Sequence, residues 1–596
     1  MRDFIVHRPS SIVNWSNSSN MKIKLLSLLL LIGLAFASPA AQPTNPTIYR
    51  AYFTSAKQLE ALTSQYDVLE ARGKDARGEY VLVMGDDELA AKLNAEGYAL
   101  VAQQHIGMVN SPLSFYGGYH SITEHYAHMD SIIAARPDLA QGVVYGQTWR
   151  KTQDPNSGYD LRAICLTKQR PGDCALNPNT DKPRFFLMAA IHARELTTSE
   201  MVWRWMDDLV AKYNVDPDVT ALLDYNEIWM IPLTNPDGRQ MVEQGNADAG
   251  FPWYQRKNEH AQIPSTCSNP PTSWNQDGID LNRNASFRWG GVGTSTNPCD
   301  LVYRGASAGS EPEEVALENL VSQLFRDQRG PLDTDAAPIT TTGSFLTLHS
   351  YSNLVLLPWG DNTPNTPNDA ALRSFAFRMS SFNGYVTGRP AEVLYGVSGS
   401  SDDWAYGTLG IPAFTFEIGP GGGSCTDFFP PYSCQDSLFW PLNRNAFYFA
   451  AKNARQPYES ALGPVTLTPT LSSGRVGAGT SVTLTAIVDD GLYGNAAGSV
   501  GQPASQVISA AQVFVDVPPW AGGVPIPMTA QDGAFNAAQE TALAALNTSG
   551  LATGRHALFV RAQDANGNWG AITAQWLSVN WQVFLPATLR ESAAAW

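Results

Sequence analysis

Positive charge is scarce in this chain. Its 39 Lys and Arg face 55 Asp and Glu, a formal charge of −16, and no basic run interrupts the balance. A polyanion would find no electrostatic footprint, which argues against nucleic acid and anionic membrane surfaces as partners. Long apolar runs are missing beyond Phe36, which argues against stable insertion in a bilayer. Cysteine is sparse as well: there are six, none spaced Cys-x-x-Cys, so a zinc–thiolate site is not expected.

What is present points to a large exported protein. With 596 residues, 44% hydrophobic and 10% aromatic, the chain can bury two or three cores. Residues 1–41 read as an export signal: Met21-Lys-Ile-Lys24 is a short basic region, Leu25 to Phe36 an apolar one, and small residues follow at Ala35 to Ala40. Residues 1–20 are polar and unpatterned, which marks Met21 as a candidate start. The cysteines fall into three sequence-local pairs, Cys165 with Cys174, Cys267 with Cys299 and Cys425 with Cys434, the pattern of three disulfides in a secreted protein.

Three stretches follow. Residues 46–104 alternate strand and helix patterns (strands at Thr47 to Phe53, near Asp67 to Glu70, at Tyr80 to Met84 and Tyr98 to Val101; helices at Ala56 to Leu62 and Asp87 to Glu96), a small α+β unit that is either a binding module or a propeptide. Residues 116–458 alternate longer helices with apolar strands, the mark of an α/β domain with a mixed or parallel sheet. Residues 464–582 turn to short β patterns between Gly, Pro, Ser and Thr, as in an immunoglobulin-like β-sandwich that binds a surface or polymer, or only stabilises. Within it, Asn566-Gly567 reads as a hairpin turn rather than a calcium loop, because spaced acidic ligands are absent.

Ligands of α/β sheets gather where strands end. The apolar run Phe185 to Ile191 ends in His192-Ala-Arg194-Glu195, ahead of a helix from Thr198. His192 and Glu195, three apart, can leave one face and share a cation, and an imidazole plus a carboxylate suits zinc. The same Glu also fits a helix start, where a carboxylate meets free backbone N–H groups. Three more strand ends carry polar clusters: Asn235-Pro-Asp-Gly238, His349-Ser-Tyr351 and Glu417.

Together with Asn282-Arg283-Asn284, these motifs in this order resemble the zinc metallocarboxypeptidases of the pancreatic carboxypeptidase A and B type, across residues 116–458. The segment from Leu394 to Trp404 resembles that family's specificity loop, and Cys267 with Cys299 its disulfide. The resemblance implies a mixed eight-stranded sheet flanked by helices, and one catalytic zinc held by His192, Glu195 and His349 with a fourth position left for water. It implies Glu417 as the base and Arg256 as the cation that steadies the carbonyl oxyanion. It implies Asn282 and Arg283 as a clamp for the terminal carboxylate, Arg194 on the substrate backbone, and Tyr395 as a mobile loop tyrosine. The sequence departs from the family at one point: Gln255 separates Trp253 and Tyr254 from Arg256. Each residue also has a plainer reading, as a surface Arg, a turn Asn, a loop Tyr or a strand-end Glu.

The expected protein is therefore a secreted enzyme that hydrolyses the C-terminal bond of peptides and proteins. Asp402, two before Trp404, occupies the position that in the family sets side-chain preference, and a carboxylate there favours basic termini; its neighbour Asp403 is the alternative for that role. Two other readings stay open, a zinc amidohydrolase acting on cell-wall peptides or acylated amino acids, and a binding protein that keeps the fold. The remaining histidines, including His120, His125 and His128, are expected to be structural.

Overall fold

The computed structural model describes residues 46–580, apart from residues 67, 70–71, 106–114, 262 and 362–363. The expected export signal lies outside the described residues. Among the described residues no helix is long and apolar enough to cross a membrane.

The central stretch builds one eight-stranded mixed sheet. In chain order its strands are β1 (Ala140–Gln147), β2 (Asp160–Leu166), β3 (Arg184–Ala189), β4 (Glu227–Ile231), β5 (Ser344–His349), β6 (Leu354–Leu356), β7 (Val386–Gly388) and β8 (Ala413–Glu417), arranged β7-β6-β8-β5-β3-β4-β2-β1. The inner four, β8, β5, β3 and β4, are mutually parallel. Every residue of these four is buried, because helices cover both faces. That is why they read in the sequence as largely apolar runs rather than as alternation. The edge strand β1 exposes much of its length instead. The helix after the first motif, Leu196–Lys212, buries Met201, Val202, Trp205, Met206 and Leu209, a stripe at helical spacing. Parallel β8, β5 and β3 bring three carboxyl ends side by side, and Glu417 pairs in register with His349.

The N-terminal unit is an antiparallel four-stranded sheet, ordered Arg72–Asp75, Gly78–Gly85, Thr47–Phe53 and Ala99–His105, with helices Ala56–Gln65 and Asp87–Ala95. The strand expected near Asp67 to Glu70 is found at Arg72–Asp75, where a tight turn returns it onto Gly78–Gly85; residues 67 and 70 lie outside the described residues. The C-terminal stretch forms two five-stranded sheets that share one core containing Val482, Leu484, Val513, Leu558 and Leu577, a β-sandwich. Ser481–Asp489 alternates exposed and buried positions as a half-buried strand should. At Asn566-Gly567 the Asp564 carboxylate accepts the Asn568 backbone N–H and side-chain amide, both at 2.8 Å. This carboxylate closes a turn, as expected.

The sandwich is tied to the α/β domain by a buried ion pair. Arg378, on the helix Asp369–Asn383, lies 2.8 Å from Asp490 with both side chains sealed from solvent, and its Nε also donates to the Ala461 carbonyl. Removing one partner of such a pair strands the other charge, at a cost of about 3–5 kcal/mol.

Candidate metal centre

A sharp turn delivers the first motif. The chain leaves β3 through Ala190, which adopts a left-handed φ of 54°, an arrangement a small side chain tolerates best. The Ala190 N–H is caught by Thr198 Oγ1 at 3.1 Å. Asn235 buttresses the same turn: its amide donates to the Ile191 carbonyl at 3.1 Å while its oxygen caps the helix Pro236–Ala249 through Gly238 N–H. The Asn-Pro-Asp-Gly motif thus holds the loop that carries His192.

Glu195 stands at the start of the next helix without capping it. Its carboxylate faces His192 Nδ1 at 2.7 Å and His349 Nδ1 at 3.2 Å, and those two nitrogens lie 3.1 Å apart. All three side chains are buried. Burial alone would raise the Glu195 carboxyl, but the two imidazoles outweigh it and hold the group well below the usual carboxylate range. His192 Nε2 lies 3.2 Å from Asp280 Oδ1. An imidazole that donates to a carboxylate through Nε2 keeps a lone pair on Nδ1. That lone pair points at a carboxylate oxygen and a second imidazole nitrogen, a set of acceptors that a cation satisfies and an extra protein donor does not. Two imidazoles and one carboxylate are a donor set that suits zinc. Among the described residues this is the one cluster of three or more such side chains close enough to share an ion.

Asp280 did not stand out in the sequence, yet it organises the site. Beyond His192, its second oxygen accepts from Arg256 Nε at 3.0 Å, and its first caps the turn Leu281–Arg283 through Asn282 N–H. Burial would raise this carboxyl, but Arg256 and then His192 outweigh it and hold it well below the usual range. The available signal was an acidic residue two places before a motif already assigned, within Gly-Ile-Asp280-Leu-Asn282.

Of the remaining expected residues Asn282, Arg283, Asp402 and Glu417 converge on one pocket, whereas Arg194 and Tyr395 are not among the residues that line it. Asn282, Arg283, Leu394, Val397, Asp402 and Glu417 line one pocket. Asn282 Oδ1 accepts from Ser401 N–H at 3.1 Å, which turns its amide nitrogen away from that contact. Arg283 is anchored by Gly293 O and Asn282 O, both at 2.8 Å, while its buried Nη2 has no hydrogen-bond partner. Both oxygens of the buried Glu417 carboxylate are likewise unpartnered. Asp402 Oδ2 accepts from Thr415 Oγ1 at 3.0 Å, two residues before Glu417 on the same strand. Asp403 turns the other way, onto Gly360 N–H. Arg194 lies 5.4 Å over the Phe428 ring; burial and then the Arg256 cation bring its guanidinium down to about 9, still charged at neutral pH. Tyr395 is buried in a cluster shared with the N-terminal unit. The three expected disulfides are all formed. His120 and His128 each stack on Trp203 at 3.7 Å, and His125 is buried 3.8 Å from Glu200, so these histidines pack the domain.

A buried His–Glu–His set beside an unpartnered carboxylate has the donors of a single zinc site. The zinc carboxypeptidase family model matches residues 125–437, more than half of the chain, and the chain belongs to that family. Carboxypeptidase A2 of Mus musculus is 31% identical over 310 residues, covering 51% of this chain and 63% of its own length. Carboxypeptidase A4 of the same species is 30% identical over 339 residues, covering 56% and 69%. The chain thus spans a little under two thirds of the first of these relatives. In three dimensions it is similar to carboxypeptidase A from Helicoverpa armigera, with TM-score 0.50, 18% identity, and coverage of 68% of this chain and 98% of that one; this likeness speaks for the fold.

If Asp280 fixes the His192 tautomer, Asp280→Asn should weaken zinc binding by about 10- to 100-fold. Chelator competition on the purified protein measures it, and an affinity equal to the native value would remove Asp280 from this role.

Proposed function

We propose that this protein is an exported carboxypeptidase that removes C-terminal residues from peptides and prefers Lys or Arg at that end. The observation that carries the preference is the placement of Asp402 in the pocket that also holds Arg283 Nη2 and Glu417.

A free C-terminus brings a carboxylate. Arg283, with an unpartnered buried nitrogen, and Asn282, oriented by Ser401, meet it with fixed donors, and a guanidinium matches a carboxylate better than a flexible ammonium does. The side chain of the last residue then points toward Asp402, which is 5% exposed and held by Thr415. A cationic end completes an ion pair there. An apolar one would leave a desolvated carboxylate without a partner.

Zinc, held by His192, Glu195 and His349, would supply Lewis acidity to the scissile carbonyl and acidify a water at neutral pH. Arg256, fixed by Asp280, presents its guanidinium to the oxygen on which negative charge develops. Glu417, lying beside His349 with neither oxygen engaged, takes the proton from the attacking water and hands it to the amine nitrogen that leaves. Because these groups are held before substrate arrives, little reorganisation is needed at the moment of reaction.

Residues 46–104 support the propeptide reading over a free module. Their Leu62, Leu89 and Leu93 share a core with Leu356, Leu394, Tyr395 and Val397, so the unit packs on pocket residues and on the loop tyrosine. Trp274 Nε1 to Asp86 at 3.1 Å and Ser352 Oγ to the Leu69 carbonyl at 2.9 Å add polar ties. Three disulfides in the chain agree with export.

Three measurements test this reading. On otherwise identical peptides ending in Arg, Leu or Phe, turnover should favour Arg, Asp402→Ala should reduce that preference roughly 10²-fold, and peptides with an amidated C-terminus should resist; an unchanged ranking removes Asp402 from specificity. Glu417→Gln should keep its zinc and lose turnover by roughly 10²-fold or more, whereas loss of metal would make Glu417 a ligand. N-terminal sequencing of secreted protein should find a mature end between Gln103 and Tyr116, with the longer form less active; full activity in a form that starts near Ala41 would make the unit permanent.

A further inference from the structure

Asp403 adjoins the pocket carboxylate in sequence yet faces out of the pocket. It is 1% exposed, and its two oxygens receive the Gly360 N–H at 3.0 and 2.9 Å. The Gly360 carbonyl in turn accepts the Val397 N–H at 2.8 Å. These contacts form a short chain of bonds from the helix Ser401–Leu409, through one glycine, to the loop that carries Tyr395.

Gly360 is a rigid point. Trp359 before it stacks on Phe287 and lies 4.0 Å beneath the Arg288 guanidinium, and Asp361 after it pairs with that same Arg288 at 3.0 Å. There is no room for a side chain at position 360: a Cβ would meet the Val397 carbonyl oxygen at 2.9 Å and an Asp403 carboxylate oxygen at 3.2 Å.

Val397 is one end of the tyrosine segment. The other is Leu394, whose N–H bonds to the Pro390 carbonyl at 2.7 Å. Tyr395 and Gly396 therefore form a two-residue arc between two backbone anchors. Beyond Val397 the chain is held again, by Ser398 Oγ on the Val292 carbonyl at 2.7 Å and by Ala285 N–H on the Gly399 carbonyl at 3.2 Å. A residue spans at most about 3.6 Å, so the reach of Tyr395 is set by where Val397 is pinned.

We propose that Asp403 is a positioning residue, which fixes through Gly360 the post from which the Tyr395 arc reaches over the pocket. This rests on the carboxypeptidase reading of that pocket. The adjacent acids then have separate tasks, Asp402 meeting the substrate side chain and Asp403 holding the frame of the loop that covers it. Burial, and after it the charge on Asp402, push the Asp403 carboxyl well above the carboxylate range. A neutral group suffices to accept one N–H, so an amide in its place should serve.

Two readouts separate the outcomes. Hydrogen exchange of the Val397 amide reports the tether whether or not the protein hydrolyses anything, and steady-state kinetics on a peptide ending in Arg reports its use. Asp403→Ala should speed Val397 exchange and raise KM, each by about tenfold, with kcat and zinc content nearly native. Asp403→Asn should stay close to native in both. Gly360→Ala, which strains the same link from the other side, should reproduce the signature of Asp403→Ala and add little to it in the double variant. Native exchange and KM in Asp403→Ala, or a matched fall in kcat and zinc content without a KM change, overturns the proposal. Faster exchange in Asp403→Ala combined with no hydrolysis by the native protein would overturn the carboxypeptidase reading and leave the tether standing.

Discussion

One carboxylate outside the His192–Glu195–His349 cluster sets the geometry of this site. Asp280 gives one oxygen to His192 and to the turn that presents Asn282 and Arg283, and the other to Arg256. His192, Arg256 and the turn Leu281–Arg283 are thereby referred to a single buried point. An isolated anion in such a place would be prohibitively costly; the Arg256 cation, the His192 imidazole and a backbone N–H offset that cost. Among the residues that line the pocket, Glu417 and Arg283 carry buried polar atoms with no hydrogen-bond partner.

Much of this was legible in the sequence because of how parallel sheets bury strands. With both faces covered, β3, β5 and β8 are mostly apolar, so the polar residues at or just past their ends stand out at His192, His349 and Glu417. Register was not legible, and register is what sets Glu417 beside His349. Asp280 was hidden for a different reason: its partners are 88 and 24 residues away, and a lone Asp after Gly-Ile looks like turn chemistry. Asp402 and Asp403 could not be told apart because adjacent residues on a helix leave it about 100° apart, and only the placement of Gly360 and Thr415 decides which enters the pocket. The strand Arg72–Asp75 was displaced in the reading because its residues are polar and its fold comes from pairing with Gly78–Gly85, not from an apolar face of its own.

The apolar wall of the pocket has two users. Leu356, Leu394 and Val397 line the pocket beside Asp402 and also join the core of the N-terminal unit. Covering the loop tyrosine with leucines needs no mimic of a peptide terminus; it needs only the burial that any hydrophobic interface offers.

The Arg378–Asp490 pair has a bearing on how such a chain could be assembled from parts. A domain joined by a flexible linker can be exchanged for another without harm to its neighbour, since the linker asks nothing of either side. Here the helix that lines the α/β core carries a cation whose counter-charge belongs to the sandwich. A recombined protein that paired this α/β domain with an unrelated partner would inherit a sealed, orphaned guanidinium. A partner that brings an acid to the same place would keep that guanidinium paired.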